Sequence, residues 1–225
     1  MSTKMKKEKK VSPLKGSNLW GILIFALLLL VDMVTKLVAD AYFSQADAPS
    51  KIDVIPGWIS LRITYNRGIA YGLGAGSPTW AKIAVIAGTG VLMLILAIVY
   101  FRLDKRRVWL RTAIVFIVAG GFGNLIDRVY YQVWDVNAAF GVRDMVDLSR
   151  FGFAVCNFAD FFITGGAVAL IVSLFFFDKD ALFPVGKYKE MAKGVDVAEV
   201  ATAKEVTSVE GEPSNQTTLT EERNG

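Results

Sequence analysis

The chain has 225 residues, 53% of them hydrophobic and 20% charged, with a net charge of +4, no histidine and one cysteine, Cys156. Without histidine there is no imidazole base, no Ser-His-Asp triad and no ordinary zinc site, and a lone cysteine excludes both an intrachain disulfide and a thiolate metal cluster. The basic residues flank apolar blocks instead of gathering on a soluble face with exposed aromatics, which points to a membrane and away from nucleic acid.

In chain order, residues 1–18 form a basic segment containing Lys4, Lys6, Lys7, Lys9, Lys10 and Lys15. A bilayer-crossing helix needs roughly 20 mostly apolar residues. The first such block runs from about Leu19 to Ala39 and carries Asp32 and Lys36. It is too long for a removed signal peptide and lacks a small-residue cleavage pattern. Next, Ile59, Leu61, Ile63 and Tyr65 alternate with Ser60, Arg62 and Thr64 behind a Pro56-Gly57 turn, which predicts a strand in a small sheet on the membrane surface. A second span covers about Ile83 to Phe101, and a third about Trp109 to Val129, interrupted by Arg111, Asn124, Asp127 and Arg128. The segment from Tyr130 to Phe158 shows no clear period. A fourth span covers about Ala159 to Phe177, with Asp160 near its start. The remainder, 179–225, becomes polar and acidic and is expected to be largely disordered.

Positive charge near span ends marks the cytoplasmic side. The N-terminal lysines, the cluster Arg102, Lys105, Arg106, Arg107 and Arg111, and the later Lys179, Lys187, Lys189 and Lys193 agree on one topology. Both termini are then cytoplasmic, and the segments 40–82 and 130–158 face outward. The expected architecture is a mainly α membrane protein of four transmembrane helices, with a small β-sheet cradle in the extracytoplasmic loop between the first two.

On this topology Asp32 and Lys36, then Asn124, Asp127 and Arg128, then Asn157 and Asp160 all fall in the outer part of the bilayer. Charges there are expensive and mark function by default. Each set is spaced three or four residues apart and so can share a helix face. Ala119, Gly120, Gly121 and Gly123 allow close helix approach in the third span. Cys156 reads as a small packing residue, because nothing near it in sequence would lower its pKa. Two carboxylates held close together share one proton, since both cannot ionise cheaply. The ionised one can take a proton from water while the protonated one polarises a carbonyl, which is aspartic peptidase chemistry without metal or cofactor. Asp160 is one candidate, and spacing leaves Asp127, Asp144 and Asp147 open as its partner.

Five stretches then resemble the lipoprotein signal peptidases (signal peptidase II), bacterial four-span aspartic peptidases. Asp32-Met33-Val34-Thr35-Lys36 is similar to the family's D-x-x-T-K, and Asn66-Arg67-Gly68-Ile69-Ala70-Tyr71 to N-x-G-A-A-F. Gly120 to Arg128 matches the G-x-x-G-N-x-x-D-R part of the family's glycine-rich motif, Gly141 to Asp147 resembles the V-V-D-F segment, and Cys156-Asn157-Phe158-Ala159-Asp160 resembles F-N-x-A-D. Ile69, Tyr71, Arg143, Met145 and Cys156 depart from the usual residues. The match covers residues 19–178, the expected peptidase domain. The resemblance implies a prolipoprotein substrate with a diacylglyceryl-modified cysteine, cut on the amino side of that cysteine, by a monomer amid membrane lipids. It implies Asp144 and Asp160 as catalytic residues, aligning Asp144 ahead of Asp147. Asn66, Gly68, Asn124, Arg128 and Asn157 would position substrate or support the dyad, Asp32 and Lys36 would hold the site together, and Asp127 would pair with Arg128. Two other classes use the same residue types. A small ion-coupled transporter could relay protons through buried carboxylates, and a serine-lysine peptidase could use Lys36 or Lys82.

Overall fold

The computed structural model describes residues 18–68, 74–177, 180–186 and 188–189. The N-terminal lysines 4–15, residues 69–73 of the outer-loop motif and the acidic tail lie outside the described residues. Contacts divide the chain into one unit ending at Leu174 and another beginning at Phe175; everything that follows concerns the first.

Four helices are long and apolar enough to cross a membrane: α1 (Asn18–Phe43), α2 (Thr79–Arg102), α3 (Val108–Tyr130) and α4 (Phe158–Phe176). Each extends or trims the expected span by only a few residues, because bilayer thickness fixes apolar length. α1, α2 and α4 present large apolar side chains such as Leu27, Leu30, Leu94 and Ile171 outward, as a lipid-facing surface requires. α3 is the most buried of the four. Its Ile114, Val115 and Val118 pack with Tyr100 of α2. Three small residues on successive faces of α3 meet three different helices. A Cβ on Gly120 would overlap the Ala159 carbonyl of α4, one on Gly121 the Met93 thioether of α2, and one on Gly123 the Asp32 carboxylate of α1. Successive positions lie about 100° apart around the axis, so a small-residue run lets one helix touch three neighbours at backbone distance.

The sheet has strand order β1 (Ile52–Ile55), β2 (Ile59–Asn66), β3 (Val142–Asp147), antiparallel throughout. Pro56-Gly57 makes the expected turn. The Trp58 N–H donates to the Ile55 carbonyl at 2.9 Å and Gly57 has φ 75°, the geometry of a type II turn with Pro at its second position. The sheet departs from expectation in one respect: it is not confined to the loop between the first two helices. β3 comes from the segment between α3 and α4, where the sequence shows no period, because Arg143, Asp144 and Asp147 interrupt any apolar alternation and are buried by other elements.

The β2–β3 register carries a bulge. Leu61 pairs with Val146 but Thr64 pairs with Asp144, so three steps on β2 match two on β3. The extra residue reverses which face of β2 follows β3. Thr64 and Asn66 consequently share a face with Asp144, while Ser60 pairs with Asp147, whose side chain points the other way. β3 is also tied to the lead-in of α4: the Cys156 N–H donates to the Val146 carbonyl at 2.9 Å, and Val146 N–H returns to the Cys156 carbonyl at 2.8 Å.

Candidate active site

α4 begins with a capping box. The Asn157 side-chain oxygen accepts from the Asp160 N–H at 3.1 Å, and the Asp160 carboxylate accepts from the Asn157 N–H at 3.1 Å. This reciprocal pattern satisfies donors that a helix start leaves free. The i,i+3 spacing of Asn157 and Asp160, which reads in sequence as a shared helix face, is therefore a cap. It fixes the Asp160 carboxylate at the mouth of the helix.

The same Asn157 joins the two carboxyl groups. Its Nδ2 donates to Asp144 Oδ1 at 2.6 Å and lies 3.0 Å from Asn124 Oδ1 and 3.2 Å from the Arg143 carbonyl. Asn124 Nδ2 in turn donates to Asp160 Oδ1 at 2.8 Å. Asn157 is fully buried and Asp144 is 2% exposed. Burial first, and then the negative charge of Asp160, push the Asp144 carboxyl up to about 7, against hydrogen bonds from Asn66 and Asn157 that favour its ionised form.

Asp147 faces elsewhere. It pairs with Arg62 at 2.9 Å and accepts from the Ser149 N–H at 2.9 Å. The Ser149 hydrogen bonds, with Arg62 adding to them, hold its carboxyl below the usual range. Asp144 and Asp147 are three apart in one strand, so their side chains fall on opposite faces.

Below the carboxyl pair lies a dry ionic network. Lys36 Nζ sits 2.8 Å from Asp32, 3.5 Å from Asp127 and 3.0 Å from Asn124 Oδ1, with Asp32, Lys36 and Asp127 all wholly buried. Asp32 Oδ1 also accepts from the Ala159 N–H at 2.9 Å, meeting another free donor of the α4 N-terminus from a different helix. Asp127 is not paired with Arg128, as the sequence reading expects. Its partner is Arg143, which donates from Nη2 at 2.6 Å and from its backbone N–H at 3.0 Å. Adjacent helical residues diverge and cannot face each other. Arg128 instead donates to the Gly68 carbonyl at 3.2 Å and the Asn124 carbonyl at 3.2 Å, and the Gly68 N–H donates to Asn66 Oδ1 at 2.9 Å.

Sequence reasoning overlooked Asp40, Tyr65, Tyr131 and the role of Arg143. The Tyr65 hydroxyl donates to Asp40 Oδ1, the Tyr131 hydroxyl donates to Asp40 Oδ2 at 3.3 Å, and Arg143 Nη1 lies 3.9 Å from the same carboxylate. A signal was present, since Asp32, Lys36 and Asp40 recur every fourth residue and so share one stripe of α1. Burial, chiefly, pushes the Tyr131 hydroxyl up to about 12, so it acts as a donor. Burial and then the Asp160 and Asp144 charges push the Cys156 thiol up to about 12, which leaves it without thiolate reactivity. Lys36 meets Asp32, Asp127 and Asn124, and no serine hydroxyl is among these partners, which argues against a serine-lysine pair at Lys36. Among the described residues no cluster of His, Cys, Asp or Glu could hold a metal ion.

Residues 24–176 match the family model described as signal peptidase (SPase) II. The chain is 30% identical to the lipoprotein signal peptidase of Fusobacterium nucleatum subsp. nucleatum, over 73% of this chain and 91% of that one. It is 34% identical to the lipoprotein signal peptidase of Treponema denticola, over 68% and 86%, and 31% identical to that of Ectopseudomonas mendocina, over 71% and 90%. The fold is similar to a bacterial membrane enzyme solved by the in meso method at 2.3 Å, with a TM-score of 0.53 and 24% identity over 70% of this chain and 88% of that one. A four-helix membrane fold with two facing carboxyl groups and a family match across all four helices has one reading: the chain belongs to the signal peptidase II family, the lipoprotein signal peptidases.

Proposed function

We propose that this aspartic peptidase removes signal peptides from prolipoproteins whose cysteine already carries a diacylglyceryl group, cutting the bond on the amino side of that cysteine. Asp144 and Asp160 act as its catalytic dyad. The observation that carries the assignment is the Asn157 side chain and backbone holding the two carboxyl groups toward each other in a buried setting. Near neutrality the pair retains one proton. Asp160 accepts a proton from the attacking water, and protonated Asp144 donates to the scissile carbonyl oxygen. Water oxygen bonds to the carbonyl carbon, giving a tetrahedral diol. The diol collapses as a proton passes to the leaving amide nitrogen, and the C–N bond breaks.

Asn66, Gly68 and Arg128 lie at the edge of this pair and align the substrate backbone. The Asp32, Lys36 and Asp127 network, with Asn124, maintains the distances. The peptidase domain is residues 19–178, working as a monomer among lipids of a bacterial inner membrane. Both termini are cytoplasmic, so the dyad lies near the extracytoplasmic face, at the depth where the acyl chains of a lipidated cysteine anchor the scissile bond.

The test is cleavage of a purified prolipoprotein by the full chain in detergent micelles. The lipidated substrate is expected to be cut before its cysteine, and its unlipidated counterpart left intact. Equal cleavage of both would remove the lipid from the recognition scheme. The same assay reads the proton. Asp144 is raised, so it is protonated below about pH 7 and ionised above. kcat/KM is therefore expected to fall as pH rises through about 7, with an apparent pKa belonging to the pair. A profile that stays flat to pH 9 would show that no shared proton is needed.

A further inference from the structure

One cleft is lined by three cations and by no acidic side chain. It opens between the first turns of α2, the end of α3 and residues 67–68 and 74–77. Arg67, Lys82 and Arg128 line it, and no acidic residue does. Lys82 is only 7% exposed, and among the described residues its ammonium has no hydrogen-bond or ion-pair partner. Arg67 donates from Nη2 to the Val136 carbonyl at 2.5 Å, but its Nε is buried without an acceptor. Arg128 bonds only neutral carbonyls, those of Gly68 and Asn124. The Lys82 ammonium therefore faces the cleft, in the first turn of a helix where exposed N–H groups already present positive charge, and an anion there would meet both.

The rest of the lining says what sort of anion fits. Lys82, Val85 and Ile86 lie at i, i+3 and i+4 on one face of α2, so the wall changes from cationic to apolar within one turn. Val133 and Ala81 continue the apolar part. Beside Lys82, Trp80 is 73% exposed at the very start of the helix, the position of an aromatic anchor at headgroup depth. A ligand that is anionic at one end and apolar at the other, available at that depth, is a phospholipid. We infer that this cavity binds the phosphodiester head of an anionic phospholipid, with Lys82 and Arg67 as its charge partners and Val85 and Ile86 beneath its glycerol and upper acyl chain. The site goes beyond the peptidase reading and stands whether or not Asp144 and Asp160 are the dyad, because its signature is lipid retention and not cleavage.

The experiment uses the full chain, delipidated in a neutral maltoside and titrated with phosphatidylglycerol under native mass spectrometry. Phosphatidylcholine, diacylglycerol and inorganic phosphate serve as competing probes, and Lys82→Gln, Lys82→Arg and Ile86→Trp as variants. The parent is expected to hold one phosphatidylglycerol more than Lys82→Gln under conditions that strip phosphatidylcholine. The apparent affinity for that molecule should drop about tenfold in Lys82→Gln, as loss of a charged hydrogen-bond donor predicts. Lys82→Arg should retain it, and Ile86→Trp, which fills the apolar end and leaves the charge, should lose it. Equal retention by the parent and Lys82→Gln overturns the site. Displacement by diacylglycerol as readily as by phosphatidylglycerol overturns the role of the phosphate. Displacement by an equal concentration of inorganic phosphate overturns the lipid. Circular dichroism checks that each variant keeps its helices. Should Lys82→Gln fail to fold, the contrast between Lys82→Arg and Ile86→Trp decides, and loss in neither overturns the proposal.

Discussion

Asp144→Asn and Asp160→Asn are each expected to lower kcat for prolipoprotein cleavage by roughly a thousandfold or more, while Asp147→Asn stays within about threefold of the parent. The amide keeps the size of the carboxyl group but can neither share a proton nor accept one from water. At position 144 it would still accept from Asn157 Nδ2 at the present 2.6 Å contact, so the variant should insert and fold, and the loss would be chemical. Asp147 occupies the other face of β3, and its partner Arg62 is 42% exposed, so its pairing is screened by solvent and contributes little. The double variant Asp144→Asn/Asp160→Asn should be hardly slower than either single one, because the two groups act as a unit. Purified proteins of matched helix content, assayed by single-turnover cleavage, provide the measurement. Substantial activity in Asp144→Asn together with loss in Asp147→Asn would move the dyad to Asp147.

Asp127→Ala is expected to be the most destabilising single change in the helices, by about 3–5 kcal/mol, the usual cost of breaking a buried ion pair from one side. Asp127 faces two cations at once, Arg143 at 2.6 Å and Lys36 at 3.5 Å. Without it, Arg143 keeps only the distant Asp40 carboxylate at 3.9 Å and the face of Tyr131, 5.5 Å from its ring centroid. Arg143 lies on β3 next to Asp144, so its release should also loosen the strand that carries the proposed catalytic group, and activity should fall beyond what unfolding explains. Asp127→Ala combined with Arg143→Met removes both charges and should recover part of the lost stability, since replacing a buried pair by apolar groups is often neutral. Thermal unfolding in detergent, followed by intrinsic fluorescence, reads both. If the double variant melts below the single one, the pairing described here does not govern the stability of α3.

Much of this was legible in residues alone. The four spans and their limits follow from composition, because the bilayer acts on each segment separately and asks only for apolar length. The turn at Pro56-Gly57 and the strand after it are local as well: proline presets one dihedral, glycine permits the other, and alternation does the rest. The gathering of Asp32, Lys36, Asn124, Asp127, Asn157 and Asp160 toward one end of the helices could be read from their positions within the spans. The stripe that adds Asp40 was there to be read too, every fourth residue on α1.

Other features depended on contacts between distant segments. β3 has no periodic signature, and it is a strand because β2 and the Val146–Cys156 link supply its hydrogen bonds. The face on which Asp144 lies relative to Asn66 is set by one extra residue in β2, which no count along β3 reveals. Arg143, a mere departure from the family pattern in sequence, becomes the partner of Asp127 because α3 and the sheet meet there, and that contact displaces the sequential neighbour Arg128. The chain by itself determined which segments are long and apolar enough to cross a membrane and which of them carry charge, since hydrophobic length and charge are properties of short stretches. Only the tertiary structure decided which carboxyl group faces which, because strand register, a bulge and close approach through glycine are relations between segments far apart in the chain.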